Sequence, residues 1–460
     1  LENLRGKKIM VMGLARSGRA AARLLVEAGA RVKVSEAQPR EKIEGDLSPL
    51  EDLGVEFEFG GHRQESLLGA DMIVISPGVP LALPVLRETQ RAGVRIIGEV
   101  ELASLFTSAT FVGVTGSNGK STTVSLIGEM LKEGGRPVLV AGNIGTPLCE
   151  VVRGLPPQHV IVTELSSFQL ETIETFRCHI GLLLNITPDH LDRYPDLMAY
   201  ARAKARIFEN QREEDFAVLN AEDPLTISLS SEIKAQRLFF SRNGPVDEGC
   251  YLNGGSLLFR WRGQVRQICH AAEIAIKGVH NLENAMAATI AASLLGLEPK
   301  AIKKALREFP GLEHRLEWVL ERDGIQFVND SKGTNVGAVL KSLEGFNSPI
   351  ILIAGGKDKE GDFAPLASMA RGRVKAFILL GESKEKIRAA VEGSAPVFEA
   401  ANMGDAVRQA SSLAERGDVV LLSPACASFD MFANFEERGR VFKDEVRRLN
   451  GRGDQGPGHV

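Results

Sequence analysis

The chain of 460 residues is 44% apolar and 25% charged, an ordinary globular composition, and at roughly 150 residues per domain it should form about three domains. Its net charge of −4 argues against a nucleic-acid or anionic-membrane partner, and no apolar run approaches the ~18 residues of a membrane-spanning helix. Five cysteines, odd in number and scattered without metal-type pairs, read as reduced thiols of a cytoplasmic protein. No signal peptide is legible. With Leu1 in first place the true start is expected upstream, and the glycine-rich tail 452–460 is expected to fray.

Residues 8–36 alternate a strand (8–14), a turn, a helix and a second strand (30–35). The turn Gly13-Leu14-Ala15-Arg16-Ser17-Gly18 is a dinucleotide-type fingerprint with alanine for its middle glycine, so its backbone approaches a pyrophosphate less closely than in a dehydrogenase. Glu36 ends the second strand, where an acidic residue meets a ribose hydroxyl; a structural turn with a surface glutamate explains the same pattern. The strand 71–76 leads into Ser76-Pro77-Gly78 at the carboxyl edge of the sheet, where open α/β sheets bind ligands. A first nucleotide-type domain is expected over 1–98.

From residue 110 the chain reads TFVGVTGSNGKSTT. A β-rich run (Phe111, Val112, Val114) breaks into Gly116-Ser117-Asn118-Gly119-Lys120-Ser121-Thr122, and a helix follows over 120–133. Strand, glycine loop, helix is the order that aims backbone N–H groups at phosphate. The glycines permit positive φ and close approach, Lys120 supplies a compact cation, and Ser121 offers a hydroxyl to Mg²⁺. Val114 stands where the strict phosphate-loop pattern has glycine, so the loop is a variant. It reads as a nucleoside triphosphate site.

Two more buried-type strands follow, 159–165 ending in Glu164 and 180–185 ending in Asn185-Ile186-Thr187-Pro188-Asp189-His190. Alone, each reads as a helix cap or a satisfied histidine. At corresponding strand ends facing Lys120, Glu164 and His190 read as Mg²⁺ ligands. The helix 196–209 carries Lys204 among alanines, which by itself reads as a solvated charge. Residues 236–276 look like a peripheral β excursion turning at Asn253-Gly254-Gly255. A helix over 281–295, entered by Gly278-Val279-His280-Asn281 and holding Asn284, presents amides that cap it or read a base edge.

Beyond Pro310-Gly311 a third domain is expected, giving boundaries of 99–311 and 312–460. Glu313-His314-Arg315 precedes a hairpin-like pair, 316–321 and 325–329, that runs into Asp330-Ser331-Lys332-Gly333-Thr334-Asn335. Apolar strands 350–354, 376–380 and 419–422 alternate with helices, a second dinucleotide-type fold. Their exits, Gly355-Gly356-Lys357-Asp358-Lys359 and Ser423-Pro424-Ala425-Cys426-Ala427-Ser428-Phe429-Asp430, carry lysines and hydroxyls suited to an anionic small substrate.

Taken together, the loop at Gly116, Glu164-Leu165-Ser166-Ser167-Phe168-Gln169, Asn185 to His190, Ala203-Lys204, Gly278 to Asn284 and His314-Arg315 resemble the ATP-dependent muramyl ligases over essentially the whole chain. The segments 329–335, 423–430 and Phe432-Ala433-Asn434-Phe435-Glu436-Glu437-Arg438-Gly439 are similar to the branch that adds D-glutamate. The Asn-Pro-Arg motif of the diaminopimelate-adding branch is missing from the third domain.

The resemblance implies an α/β fold of three domains: Rossmann-like for a uridine nucleotide, a central P-loop ATPase-type domain with a mostly parallel sheet, and a C-terminal Rossmann-like domain for the amino acid. It implies that Ser17, Glu36, Ser76, Asn143 and Gln169 hold the UDP-sugar, although Glu36 stands where the family more often has aspartate. Gly116, Ser117, Asn118, Gly119, Lys120, Ser121 and Thr122 would hold the ATP phosphates, and His280, Asn281, Asn284, Arg315 and Asp330 the adenosine end. Ser121 and Glu164 would take one Mg²⁺ and His190 a second, with Lys204 matching the lysine that the family carbamylates from CO₂ or bicarbonate. Lys332, Thr334, Lys359, Ser428 and Phe435 would receive D-glutamate, and Lys120, Glu164, His190, Lys204 and Lys332 would carry the chemistry. The implied enzyme is a cytoplasmic monomer of peptidoglycan precursor synthesis, and so of cell-wall growth and division, acting on UDP-N-acetylmuramoyl-L-alanine. A folate-polyglutamating or other muramyl ligase, an NAD-dependent dehydrogenase and an NTP-driven switch are the rival readings.

Overall fold

The computed structural model describes residues 4–43, 45–143, 145–189, 193–346, 348–358 and 361–451. His190 and Lys359 lie outside the described residues. Three sheets organise the chain.

The first sheet holds β1 (Lys8–Met12), β2 (Arg31–Glu36), β3 (Glu56–Phe59), β4 (Met72–Ile75) and β5 (Arg95–Gly98) in the order β3-β2-β1-β4-β5, all parallel. Strand β4 is buried at every position because helices cover both faces of a parallel sheet. Chain order reverses between β1 and β4, so the Gly13 turn and Ser76 leave the sheet on either side of its switch point.

The second sheet comprises β6 (Thr110–Thr115), β7 (Val138–Gly142), β8 (Val160–Glu164), β9 (Ile180–Leu183), β10 (Phe216–Asn220), β11 (Gln236–Ser241), β12 (Gly249–Asn253), β13 (Ser256–Trp261) and β14 (Gln264–His270). Its order is β14-β13-β12-β11-β10-β9-β6-β8-β7. The peripheral β excursion expected at 236–276 forms one edge of this sheet: β11 pairs parallel with β10, β12 parallel with β11, and β13 and β14 close the sheet as an antiparallel meander. The helix Lys120–Glu133 falls at its expected bounds, between Gly119 and Gly134. The expected 196–209 helix is shorter, Leu197–Ala205 capped by Asp196, and tightens into a 3₁₀ turn at Arg206–Phe208.

These two sheets share one compact unit, residues up to 186 with 190–273 and 283–307. A continuous core runs through it, from Val11 and Leu25 past Val100 and Leu148 to Ile161 and Ile207. The short helix Glu99–Ser104 is pinned within it by Glu101, fully buried, whose carboxylate accepts the N–H groups of Glu174, Thr175 and Phe176 at 2.8–3.0 Å.

The second unit holds residues 187–189, 274–282 and 308 onward. Its sheet is β15 (Glu317–Arg322), β16 (Ile325–Asn329), β17 (Ile350–Gly355), β18 (Val374–Leu380), β19 (Val397–Glu399) and β20 (Val419–Leu422), ordered β15-β16-β20-β17-β18-β19. The first pair is the expected antiparallel hairpin, turned by Asp323 and Gly324 at φ +54° and +78°; the remaining pairs are parallel. The helix expected over 281–295 runs Val279–Leu294, so Asn281 and Asn284 lie inside it and do not cap it.

Candidate functional site

In the first unit the glycine loop is shaped by groups far away in sequence. Gly116 (φ +148°) and Gly119 (φ +87°) take positive φ, and a Cβ on Gly119 would come 2.2 Å from the Asn284 Oδ1. Asn185, at the exit of β9, is a shaping residue that the sequence reading quoted without giving it a role. Its carbonyl accepts Ser117 N–H at 2.9 Å, its Oδ1 accepts Asn118 N–H at 2.9 Å, and its Nδ2 returns a bond to the Asn118 carbonyl at 3.1 Å. The non-local register β6–β9 sets this arrangement, so local sequence could not display it.

Lys120 Nζ donates to the Gly116 and Ser117 carbonyls, both at 2.9 Å. Ser121 Oγ donates to Glu164 Oε2 at 2.5 Å, and Asn143 Nδ2 donates to Glu164 Oε1 at 2.8 Å. The expectation that Glu164 faces the loop therefore holds, and Asn143, expected near a sugar nucleotide, meets Glu164. Lys204 overturns its solvated reading: it is 2% exposed, its Nζ donates to the Gly116 carbonyl at 2.9 Å, and it lies 4.4 Å from the Tyr200 ring centroid. Two ammonium groups thus converge on one carbonyl oxygen. Thr122 is buried, and Asn284 accepts from Thr123 Oγ1 at 3.3 Å.

At the first sheet, Gly13 takes φ +88°, and a Cβ on Gly18 would come 1.9 Å from the Gly13 carbonyl, so the helix bearing Ser17 packs onto the turn only with glycine there. Glu36 is built into the same turn, accepting Leu14 N–H at 2.7 Å and Gln38 N–H at 3.0 Å. Ser76 donates to the Gly13 carbonyl at 3.2 Å. A narrow crevice is lined by Ser76 together with Gln169, as expected, and by Glu99, Phe168, Thr172 and Arg193, which sequence reasoning did not single out. Gln169 also completes a capping box with Ser166, and Arg193 pairs with Glu171 at 2.7 Å while lying 3.9 Å from the Phe168 ring.

Burial raises the Glu99 carboxyl from 4.5 to about 7, against the opposing bond from Cys149 N–H. Its folded-state pKa lies above its unfolded one, so its contribution to stability is full below pH 4.5 and lost as pH rises through 7. Glu99→Gln should be nearly neutral at pH 5 and stabilising relative to the parent by on the order of 2–3 kcal/mol at pH 8. Thermal unfolding of both proteins at the two pH values checks this; an unchanged difference between them contradicts it.

In the second unit two strand exits lie side by side. Lys357 and Ala427 exchange backbone bonds at 2.9 and 3.0 Å, which sets the 355–358 and 423–430 loops side by side. Lys332 Nζ sits 3.8 Å from the Phe435 ring centroid, and Thr334 N–H bonds the Lys332 carbonyl at 2.7 Å. Ser428 is buried, its carbonyl accepting from Met431 and Phe432. Asp330 ties segments together beneath the loop, accepting Ser342 and Ser423 hydroxyls at 2.8 and 2.7 Å and Leu316 N–H at 3.3 Å; burial raises its pKa to about 6. His280 is held neutral, lowered to about 4 by burial and then by the Lys341 and Arg315 cations. Asn281 donates to the Lys277 carbonyl at 2.8 Å. Arg315 stands between His314 and Leu316, both at positive φ.

Arg438 was missed. Its buried guanidinium donates to Ser331 Oγ and O at 3.0 and 2.8 Å and to the Cys426 and Ala427 carbonyls at 3.1 and 3.2 Å, joining the loops around Lys332 and Ser428. Burial lowers its pKa to about 10. The available signal was spacing: Arg438 lies one helical turn after Phe435 on the helix Phe435–Gly451.

Comparison with known proteins matches the Mur ligase MurD-like N-terminal domain over 7–98, the Mur ligase middle domain over 114–292 and the Mur ligase glutamate ligase domain over 314–426. A UDP-N-acetylmuramoylalanine–D-glutamate ligase of Pelotomaculum thermopropionicum is 46% identical over 98% of this chain and 99% of its own length. The enzyme of the same name from Geotalea daltonii is 46% identical over 97% and 99%. The solved structure of a pseudomurein peptide ligase type C from Methanothermus fervidus superposes with a TM-score of 0.61, covering 96% of this chain and all of that one at 19% identity, a likeness of fold.

Proposed function

The chain belongs to the Mur ligase family, and from that premise we propose that it ligates D-glutamate to UDP-N-acetylmuramoyl-L-alanine with hydrolysis of ATP, in peptidoglycan precursor synthesis. The observation that carries the proposal is full-length similarity to the D-glutamate ligases combined with a buried Ser121–Glu164 pair beside Lys120 at the carboxyl edge of the parallel strands β6 and β8. The dehydrogenase and switch readings fall with family membership. The folate-polyglutamating alternative is disfavoured by the MurD-like match over 7–98.

In this reading residues 1–98 bind the UDP-sugar through Ser17, Glu36 and Ser76, helped by Asn143 and Gln169 from the central domain, with Arg193 beside Ser76 and Gln169. Residues 99–311 bind the ATP phosphates through the Gly116–Thr122 loop. Residues 312–460 bind D-glutamate through Lys332, Thr334, Lys359, Ser428 and Phe435. His280, Asn281, Asn284, Arg315 and Asp330 serve the adenosine end. The all-oxygen pair of Ser121 and Glu164 fits Mg²⁺, and His190 with a carbamylated Lys204 would hold a second ion. Bound Mg²⁺ supplies neutralisation of phosphate charge. The protein is proposed to act as a cytoplasmic monomer; among the described residues no helix is long and apolar enough to cross a membrane.

The chemistry follows from the poor leaving group of a carboxylate. The γ-phosphoryl of ATP passes to the carboxylate of UDP-N-acetylmuramoyl-L-alanine, giving an acyl phosphate and ADP. The amine of D-glutamate attacks the acyl carbon, and the tetrahedral intermediate expels phosphate as the amide forms. Phosphoryl transfer asks the protein mainly for positioning and charge, which Lys120 and the loop amides offer, and no protein nucleophile is needed. Incubation with ATP and UDP-N-acetylmuramoyl-L-alanine should give amide product with D-glutamate and little with L-glutamate, lysine or diaminopimelate. Preferential use of any other acceptor would reassign the third domain.

A further inference from the structure

In the second unit two residues that bear side chains take left-handed backbone, His314 at φ +65° and Leu316 at φ +42°, and Arg315 stands between them. Such conformations are costly for residues with a Cβ and persist only where the surroundings enforce them. Here the enforcement is visible. The His314 side chain is 3% exposed, and its Nδ1 lies 2.9 Å from Asn329 Nδ2. The same amide nitrogen donates to Glu317 Oε2 at 2.9 Å, while Asn329 Oδ1 accepts Ser331 N–H at 3.1 Å, which fixes the amide's orientation. Nδ1 is therefore the acceptor, and the ring is the neutral Nε2–H tautomer. Burial, the leading cause, also holds its pKa below the usual value.

The other wall of the seat is Gly439, where a Cβ would come 2.2 Å from His314 Nδ1 and 2.8 Å from Cε1. Beneath it, Lys443 Nζ meets Glu313 Oε1 at 2.5 Å and Glu317 Oε1 at 2.9 Å, closing the segment from both sides of the histidine. Glu313, His314 and Glu317 stand close enough together to ligate a cation, but the Lys443 ammonium already fills that role. The backbone is held too: His314 N–H bonds Glu317 Oε2 at 2.9 Å, its carbonyl accepts Lys332 N–H at 3.0 Å, and Leu316 N–H bonds Asp330 Oδ1 at 3.3 Å.

We propose that His314, seated in the notch left by Gly439, is a positioning residue for Arg315: the clamp enforces the left-handed turn that aims the guanidinium, and it sets ATP affinity through that side chain. The proposal rests on the reading that Arg315 meets the nucleotide. It is tested in the full chain by titrating a non-hydrolysable ATP analogue and, separately, UDP-N-acetylmuramoyl-L-alanine. His314→Gly removes the ring while suiting the φ, and Gly439→Ala intrudes on the ring from the other side. Each should weaken analogue binding about tenfold and change UDP-substrate binding by less than about twofold. Neither should weaken it further in an Arg315→Ala background, because the clamp acts through that residue. If Gly439→Ala does not fold, His314→Gly alone decides. Full analogue affinity in folded His314→Gly, or losses that multiply with Arg315→Ala, would overturn the clamp while leaving the Arg315 reading intact. Unchanged affinity in Arg315→Ala would overturn both, and is told apart because that single variant shows it.

Discussion

Lys120→Ala should lower kcat by about 10²–10³-fold while leaving the KM for UDP-N-acetylmuramoyl-L-alanine nearly unchanged. Its ammonium donates to the Gly116 and Ser117 carbonyls in the glycine loop that opens the helix Lys120–Glu133. In the proposed reaction, charge that builds on the transferring phosphoryl group would be stabilised there by a compact cation that needs no reorganisation. Lys120→Arg should not restore the rate. A planar guanidinium cannot take the place of a point charge between two carbonyls 2.9 Å away. Steady-state kinetics with each substrate varied in turn check both statements, and an arginine variant within about threefold of the parent would show that charge alone suffices.

Depleting CO₂ should lower activity by an order of magnitude or more, with bicarbonate restoring it, and Lys204→Ala should be inactive in either buffer. Lys204 is buried and shares the Gly116 carbonyl with Lys120, so as an ammonium it adds like charge to a site that must also accept a cation. Carbamylation reverses that charge and supplies the oxygen ligands Mg²⁺ prefers. The readout independent of activity is a ¹³C resonance from labelled bicarbonate that disappears in Lys204→Ala. A fully active protein that shows no such resonance would refute the carbamate.

The sequence displayed what local pattern encodes. Gly119 and Gly134 bracket the helix Lys120–Glu133, and an apolar run ending in Glu164 puts that residue at the carboxyl edge of β8 beside the loop. It could not display burial imposed from afar. Lys204 lies in an alanine-rich helix of weak amphipathicity, and only contact with a carbonyl 88 residues away reveals it as interior. Asn185, Arg438 and Glu101 likewise owe their roles to hydrogen bonds across 67, 107 and about 75 residues. The helix Val279–Leu294 starts earlier than its amides suggested because Gly278, at φ +99°, makes the break that a capping side chain was expected to make. The polar strands β11 to β14 look detached because their partner β10 precedes them across a helix, Pro224–Ser230.

Phosphate release from ATP in the complete protein, followed with neither amino-acid nor UDP-sugar substrate, with each alone and with both, tests the central claim most directly. Sustained release is predicted only when UDP-N-acetylmuramoyl-L-alanine and D-glutamate are both present, with one phosphate formed for each amide. Sustained ATP turnover that is indifferent to either substrate, or amide formed without ADP and phosphate, would contradict the assignment.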